Sequence, residues 1–226
     1  MEAVILAGGL GTRLSSVLKE IPKPMAPVGE RPFLEFLLDW LTGYEISKII
    51  LSVGYKSEII SSFFGIGFNG VPIEYSNEEE PLGTGGALLK AIQMIEGNCF
   101  LVLNGDTYFP VNLNEFQERH ISMGGDITLA LKEMFDFRRY GAVEMDMNNN
   151  IVRFDEKEFH KAGLINGGIY LINKSFITGL NLPERFSLEK DVLKKNTGGN
   201  LKGMVFQNPF IDIGIPEDYL RAQVVL

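Results

Sequence analysis

The sequence predicts an α/β protein with a Rossmann-like, mostly parallel central sheet flanked by helices, and a mixed-sheet second half. Three observations carry that prediction. Short β-branched runs alternate with longer segments whose apolar residues recur at helical spacing. Their connections are short, and strand–helix–strand order with short loops implies parallel strands covered on both faces. After residue 125 this alternation gives way to strand-rich sequence with little helix between the strands.

Taken in order, "AVILA" (3–7), "KIILSV" (48–53), "VPIEYS" (71–76) and "CFLVLN" (99–104) read as the strands of the first half. Between them, "FLEFLLDWLTG" (33–43), "KSEIISSFF" (56–64) and "GALLKAIQMIEG" (86–97) read as helices. In the second half "DITLALKEM", "YGAVEMD" and "IVRFDE" read as strands, with "NNN" (148–150) a turn between the last two. "LINGGIYLI" (164–172), a helix near 187–196, "KGMVF" (202–206), "FIDIG" (210–214) and a helix from Pro216 complete the chain. No linker, repeat or low-complexity stretch interrupts it. Residues 1–226 are therefore expected to form one domain, with halves at 1–125 and 126–226. Ligands in such sheets sit beyond the carboxyl ends of the strands. The loops 8–13, 77–86, 105–110 and 211–215 are accordingly the ones expected to carry function.

Composition narrows the function. The net charge of -8, from 29 acidic and 21 basic residues, argues against nucleic acid as a partner, which needs a basic face. A small anion remains possible, because a few local cations outweigh the global sign. The single cysteine, Cys99, precludes an intrachain disulfide and a cysteine-rich zinc cluster. No apolar run approaches the roughly 18 residues of a membrane span. The first strand starts at residue 2, so no secretory signal is expected and the setting expected is cytoplasmic.

The opening strand leaves through "LAGGLGTRL". Gly8, Gly9 and Gly11 let backbone N–H groups approach a polyphosphate with no Cβ in the way. Arg13 is then placed to close on phosphate oxygens bidentately. Lys23, held between two prolines in "IPKPMAPV", suits a second clamp for charge developing on pyrophosphate. The loop is not a Walker A motif, since no Lys-Ser or Lys-Thr follows the last glycine. A literal G-x-G-x-x-G at 65–70, "GIGFNG", follows a helix and enters a strand. That is the reverse of a dinucleotide fingerprint, and a surface loop is expected there. Asp106 ends one apolar strand and Asp212 another. Two carboxylates on the sheet edge that carries a phosphate loop suit magnesium, which takes one or two carboxylates plus phosphate oxygens and water. His120 and His160 are isolated in sequence and read as surface residues.

Eight ordered motifs, "LAGGLGTRL", "IPKPMAPV", "PLGTGGAL", "LNGDTYF", "RYGAV", "FDEKEF", "INGGIYLI" and "FIDIGIPEDYLRA", resemble those of the sugar nucleotidyltransferases over almost the whole chain. The resemblance implies an enzyme that joins a nucleoside triphosphate to a sugar 1-phosphate with Mg2+. It assigns the first half to nucleotide and the second to sugar phosphate. It implies that Leu6, Ala7, Gly8, Gly9, Gly11, Thr12, Arg13, Glu78, Gly83 and Asp106 bind nucleotide, Glu78 at the base edge and Gly83 beneath the base. Arg13, Lys23 and Asp106 would be catalytic, and Asp106 and Asp212 would hold the metal. Gly141, Glu156, Lys157 and Asn166 would bind the sugar phosphate.

Among short members of that family, "DFRRYGAV" and "GLINGGIYL" most resemble those taking GTP and D-glycero-α-D-manno-heptose 1-phosphate for surface-glycan synthesis. Mannose 1-phosphate with GTP, or N-acetylmuramate 1-phosphate with UTP, is the runner-up. A carboxylate at Glu78 suits guanine, whose N1–H and exocyclic amine both donate. Departures from the family pattern lie at "SSVLKE" (15–20), at "EKE" (156–158) and at Ile215. None removes a charged group of the reaction. A regulatory subunit that binds nucleotide-sugar without catalysis should have lost such a group. The apolar end "AQVVL" suits either a homo-oligomer contact or completion of the core.

Overall fold

The computed structural model describes residues 1–9, 21–155 and 158–226. Strand β1 (Glu2–Leu6) is followed by the short pair β2 (Pro27–Val28) and β3 (Arg31–Pro32), then α1 (Phe33–Thr42), β4 (Lys48–Val53) and α2 (Ser57–Phe64). Next come β5 (Gly67–Phe68), β6 (Val71–Asn77), α3 (Gly83–Ala91), β7 (Cys99–Asn104), β8 (Thr107–Tyr108) and α4 (Leu113–Met123). The second half holds β9 (Ile127–Phe137), β10 (Ala142–Met145), β11 (Ile151–Phe154), β12 (His160–Asn173), α5 (Lys174–Gly179), β13 (Leu201–Phe206), β14 (Ile211–Asp212) and α6 (Pro216–Val225).

The main sheet runs β11-β10-β12-β7-β1-β4-β6-β5, with β9 paired to β12 and β13. Strands β7, β1, β4 and β6 are mutually parallel, as expected for the first half. Chain order carries β4 and β6 outward on one side of β1, and β7 then returns to its other side. The order therefore reverses between β1 and β7, where a crevice opens at the strand ends. Antiparallel β12 pairs with β7 through Ile169–Asn173 and extends past it to pair β10. One sheet thus runs through both halves.

Alternation of side chains splits the core into two layers. Ala3, Ile5, Ile49, Leu51, Leu101 and Leu103 face α1, α2, α4 and α6, while Val4, Ile50, Phe100 and Val102 face α3 and α5. On α1 the residues Phe33, Leu34, Leu37, Leu38 and Leu41 are fully buried, the spacing that identified the helix.

Several expectations change. The predicted helix 86–97 begins earlier, at Gly83, and ends at Ala91, with a 3-10 turn over Ile92–Met94. Gly85 and Gly86 are inside it because a Cβ there would stand 2.1 Å from the Phe186 ring and 2.3 Å from the Glu184 carbonyl. The predicted helix near 187–196 is a π-helical turn over Leu188–Leu193 followed by a 3-10 turn. "GIGFNG" lies at the surface, as expected, and forms the tip of a hairpin: β5 pairs β6 across Asn69 (φ 48°) and Gly70 (φ 83°), an Asn-Gly turn suited to strand twist.

His120 is not a surface residue but is 3% exposed, with Nδ1 2.7 Å from Thr128 Oγ1 and Nε2 3.3 Å from Asn173 Oδ1. Burial holds its pKa below the ordinary histidine value. It rides on α4, a helix absent from the prediction, although Asn112 caps its start and Gly124 (φ 65°) its end. His160 is half-buried and stacks on Phe137, with ring centroids 5.2 Å apart.

Candidate active site

At the carboxyl end of β1, backbone hydrogen bonds run to both neighbours, β4 and the turn after β7. Ala7 N–H donates to Ser52 O at 2.8 Å, and Gly105 N–H donates to Leu6 O at 2.9 Å. A Cβ on Gly105 would lie 2.8 Å from that Leu6 oxygen, so the close approach requires glycine. Glu78, just past β6, donates its N–H to Val53 O, and its Oε2 accepts from Leu82 N–H at 3.0 Å. A Cβ on Gly8 would stand 2.5 Å from Glu78 Oε1, so bare backbone and carboxylate share one wall. Gly83 follows at φ 74°, and a side chain there would strike the Phe186 carbonyl at 2.5 Å. Leu6, Ala7, Gly8, Ser52, Glu78 and Gly83 line a cavity of about 450 Å³.

A second cavity, of about 700 Å³, lies beyond the end of β7. It is walled by side chains of the second half, including Tyr140, Asn166, Tyr170 and Glu189, with Gly141 among its backbone. Asn166 reaches it through a break in register between Asn166 and Tyr170 of β12. Gly168 turns there at φ 74° and donates to Asn166 Oδ1 at 3.0 Å, while Asn166 Nδ2 donates to Tyr170 Oη at 2.8 Å. Glu189 is held by Thr84 and Ser187, whose hydroxyls each donate to its Oε2 at 2.8 Å.

The two cavities meet at Lys23, Asn104 and Asp106. Lys23 enters from a 3-10 turn whose Pro24 and Met25 are buried, so the backbone carrying it is anchored. Its Nζ lies 2.5 Å from Asp106 Oδ2 and 3.9 Å from Asp212 Oδ1. The acids come together because β8 and β14 pair antiparallel, Asp212 opposite Thr107, with Ile213 N–H donating to Asp106 O at 3.0 Å.

Asp212 is tightly furnished: Oδ1 accepts from Gly214 N–H at 2.7 Å and Oδ2 from Tyr140 Oη at 2.9 Å. Burial, then the neighbouring charge of Asp106, raises its pKa against the pull of Lys23. Burial and the Asp212 charge likewise hold the Tyr140 phenol far above its ordinary range, so it remains a donor. Among the described residues no cluster of three or more histidine, cysteine or acidic side chains is placed to hold a metal. None of their helices is long and apolar enough to cross a membrane.

The structure thus brings Leu6, Ala7, Gly8, Gly9, Glu78, Gly83 and Asp106 to one cavity and Gly141, Asn166 and Asp212 to the other, with Lys23 at the junction. Gly11, Thr12, Arg13, Glu156 and Lys157 lie outside the described residues. Sequence reasoning passed over Asn104, Tyr140, Tyr170 and Glu189. Asn104 was legible as the polar end of an apolar strand, and Tyr140 stood inside a quoted motif valued only for its glycine. Glu189 carried no signal of its own. At the C-terminus, Tyr219 and Ala222 are buried, whereas Val224 and Val225 are exposed.

A sequence profile of the Nucleotidyl transferase family matches residues 2–226. A D-glycero-alpha-D-manno-heptose 1-phosphate guanylyltransferase of Aneurinibacillus thermoaerophilus is 47% identical over 99% of this chain and 97% of its own. The enzyme of the same name from Campylobacter jejuni is 46% identical, over 97% of both chains. Among solved structures, HddC from Yersinia pseudotuberculosis, also determined complexed with GMP-PN, gives a TM-score of 0.88 at 39% identity. That match covers 99% of this chain and 98% of HddC. By sequence profile, close relatives and fold, the chain belongs to the nucleotidyl transferase family.

Proposed function

We propose that the chain is a single-domain enzyme that transfers a guanylyl group from GTP to D-glycero-α-D-manno-heptose 1-phosphate. The products are a GDP-sugar, destined for surface glycan, and pyrophosphate. The observation that carries this reading is the junction of the two cavities on Lys23 and the Asp106–Asp212 pair. A nucleotide in the first cavity and a sugar phosphate in the second would bring their phosphates to that junction. The names of the two close relatives, and the nucleotide in the HddC complex, support guanine and heptose as the first pair to test. A cytoplasmic setting belongs to the same reading.

An oxygen of the sugar phosphate attacks the α-phosphorus in line. A new P–O bond forms as the bond from that phosphorus to the bridging oxygen of pyrophosphate breaks. No protein nucleophile is needed, so positioning and charge stabilisation carry the rate. Lys23 donates N–H to phosphate oxygens as negative charge passes to the leaving group, and Arg13 is proposed to share that work. The catalytic Asp106 and its partner Asp212 fit a magnesium ion: one ammonium faces two carboxylates, one of them already resisting ionisation. Bound there, magnesium would neutralise charge on the phosphate oxygens. Gly8, Gly9, Gly11 and Thr12 would cradle the triphosphate. With Oε2 engaged by Leu82, Glu78 offers Oε1 to the guanine N–H groups. Gly141, Glu156, Lys157 and Asn166 would take the sugar phosphate.

The test is pyrophosphate release with magnesium, crossing GTP, UTP, CTP, dTTP and ATP with heptose, mannose, glucose and N-acetylmuramate 1-phosphates. Release confined to GTP with the heptose phosphate is expected. Release with mannose 1-phosphate instead would keep the chemistry and replace the sugar. Silence across the grid with nucleotide-sugar still bound would replace the enzyme by a binding subunit.

A further inference from the structure

The two acids at the junction are held in different ways. Asp106 is met by Lys23 and by the hydroxyl of its neighbour Thr107, at 3.2 Å. Asp212 is clamped on both oxygens, Oδ1 by Gly214 N–H and Oδ2 by Tyr140 Oη. Tyr140 is itself fixed. Arg139 Nη2 donates to its hydroxyl at 2.9 Å and pairs with Asp218 on the first turn of α6. Its ring stands edge-on to Phe210, centroids 5.9 Å apart. A hydroxyl with two such neighbours has little freedom to point elsewhere.

We propose that Tyr140 is a positioning residue: backed by Arg139 and Asp218, it fixes the rotamer of Asp212 and so sets the affinity of the junction for a divalent cation. The inference rests on the proposed role of Asp106 and Asp212 as metal ligands. Carboxylate ligands are oriented by outer hydrogen bonds, and losing one weakens metal binding by about 10–100-fold. It also makes α6 part of the site, because Asp218 reaches the carboxylate through two side chains.

The test measures Mn2+ binding by electron paramagnetic resonance in the presence of GTP, beside the Mg2+ dependence of pyrophosphate release. Tyr140→Phe keeps the ring on Phe210 and removes only the hydroxyl. Its Mn2+ dissociation constant should rise about tenfold or more, and the Mg2+ requirement should rise in parallel. Rate at saturating Mg2+ should return to within a few-fold of wild type, with affinity for GTP measured without metal unchanged. Asp218→Asn, more remote, should shift both readings the same way by less. Asp212→Asn serves as reference. If it loses Mn2+ while Tyr140→Phe binds Mn2+ as wild type does, the proposal is overturned and the metal site stands. A defect of Tyr140→Phe confined to KM for the sugar phosphate would likewise overturn it, making the phenol a substrate contact. If wild type and Asp212→Asn bind Mn2+ alike, the metal reading fails and the proposal with it.

Discussion

The first cavity and the second both use glycines where a side chain would collide, but they differ in the side chains set beside them. Around the first they are Gly8, against Glu78, and Gly83, against the Phe186 carbonyl, set among Leu6, Pro24, Pro81 and Ala87. Around the second they are Gly141, Gly168 and Gly214, set among polar side chains gathered from strands and turns far apart in sequence, such as Tyr140, Asn166, Glu189 and Asp212. Bare backbone beside apolar side chains suits a nucleotide, whose phosphate oxygens take N–H groups and whose base offers a flat face. Many polar side chains suit a sugar, whose hydroxyls must be told apart. The junction belongs to both, and there the charges are concentrated.

The largest effect should therefore come from the shared wall. Asp106→Asn removes the carboxylate that Lys23 grips and is expected to lower turnover by at least ~10³-fold, in the range of losing a main electrostatic group of a site. Folding should survive, since the residue sits at a strand end rather than in the core. Near-normal pyrophosphate release with magnesium would remove Asp106 from the mechanism and dissolve the distinction between junction and walls.

Next in size are changes confined to one cavity. Gly83→Ala forces a side chain onto a left-handed backbone and against Phe186 O, so KM for GTP should rise roughly tenfold while the melting temperature falls. Asn166→Asp keeps the acceptor for Gly168 N–H but places negative charge where the sugar phosphate is proposed to dock. It should raise KM for the sugar phosphate by about tenfold and leave that for GTP alone. Equal changes in both constants for either variant would mean that the cavities are not independent. Glu78→Gln is subtler. It should weaken use of GTP more than use of UTP, by a few-fold. An equal loss for both nucleotides would end the base-reading role, leaving Glu78 as the cap of Leu82 N–H.

The same contrast explains what the sequence disclosed. The long strands of the first half, with α1 and α2, were legible because burial leaves apolar runs and helical spacing, whereas α4, which buries only Leu113, Phe116 and His120, was missed. Gly8 and Gly83 were legible because a close approach leaves few alternatives to glycine. The start of α3 was not, since helix propensity opposes Gly85 and Gly86, and only the Phe186 ring accounts for them. His120 looked isolated because its partners, Thr128 and Asn173, come from strands that sequence cannot bring together. Tyr140 and Glu189 escaped for that reason too. Their partners are 72 residues away at Asp212 and 105 away at Thr84.

The smallest effect concerns the opposite end of the sheet, where a carboxylate is structural rather than chemical. Glu2 is 8% exposed at the start of β1 and accepts from Glu96 N–H at 2.9 Å, Gly97 N–H at 2.7 Å and Lys48 at 3.2 Å. Burial alone would raise its pKa, but those two amides and the Lys48 ammonium outweigh it and hold the group below the ordinary glutamate value. A carboxylate with a depressed folded pKa stabilises the fold above its unfolded pKa, and that contribution is lost as pH falls through the folded value. Glu2→Gln should cost about 1–3 kcal/mol near neutral pH, the scale of hydrogen bonds to a charged group. The gap in melting temperature between wild type and variant should be constant above about pH 5 and close progressively below about pH 4. Activity per folded molecule should not change, because Glu2 lies at the end of β1 remote from the site. A gap that persisted undiminished at pH 3 would mean that the ionised carboxylate is not what ties β1 to the turn before β7. A loss of turnover without a loss of stability would erase the division between a structural edge of the sheet and a chemical one.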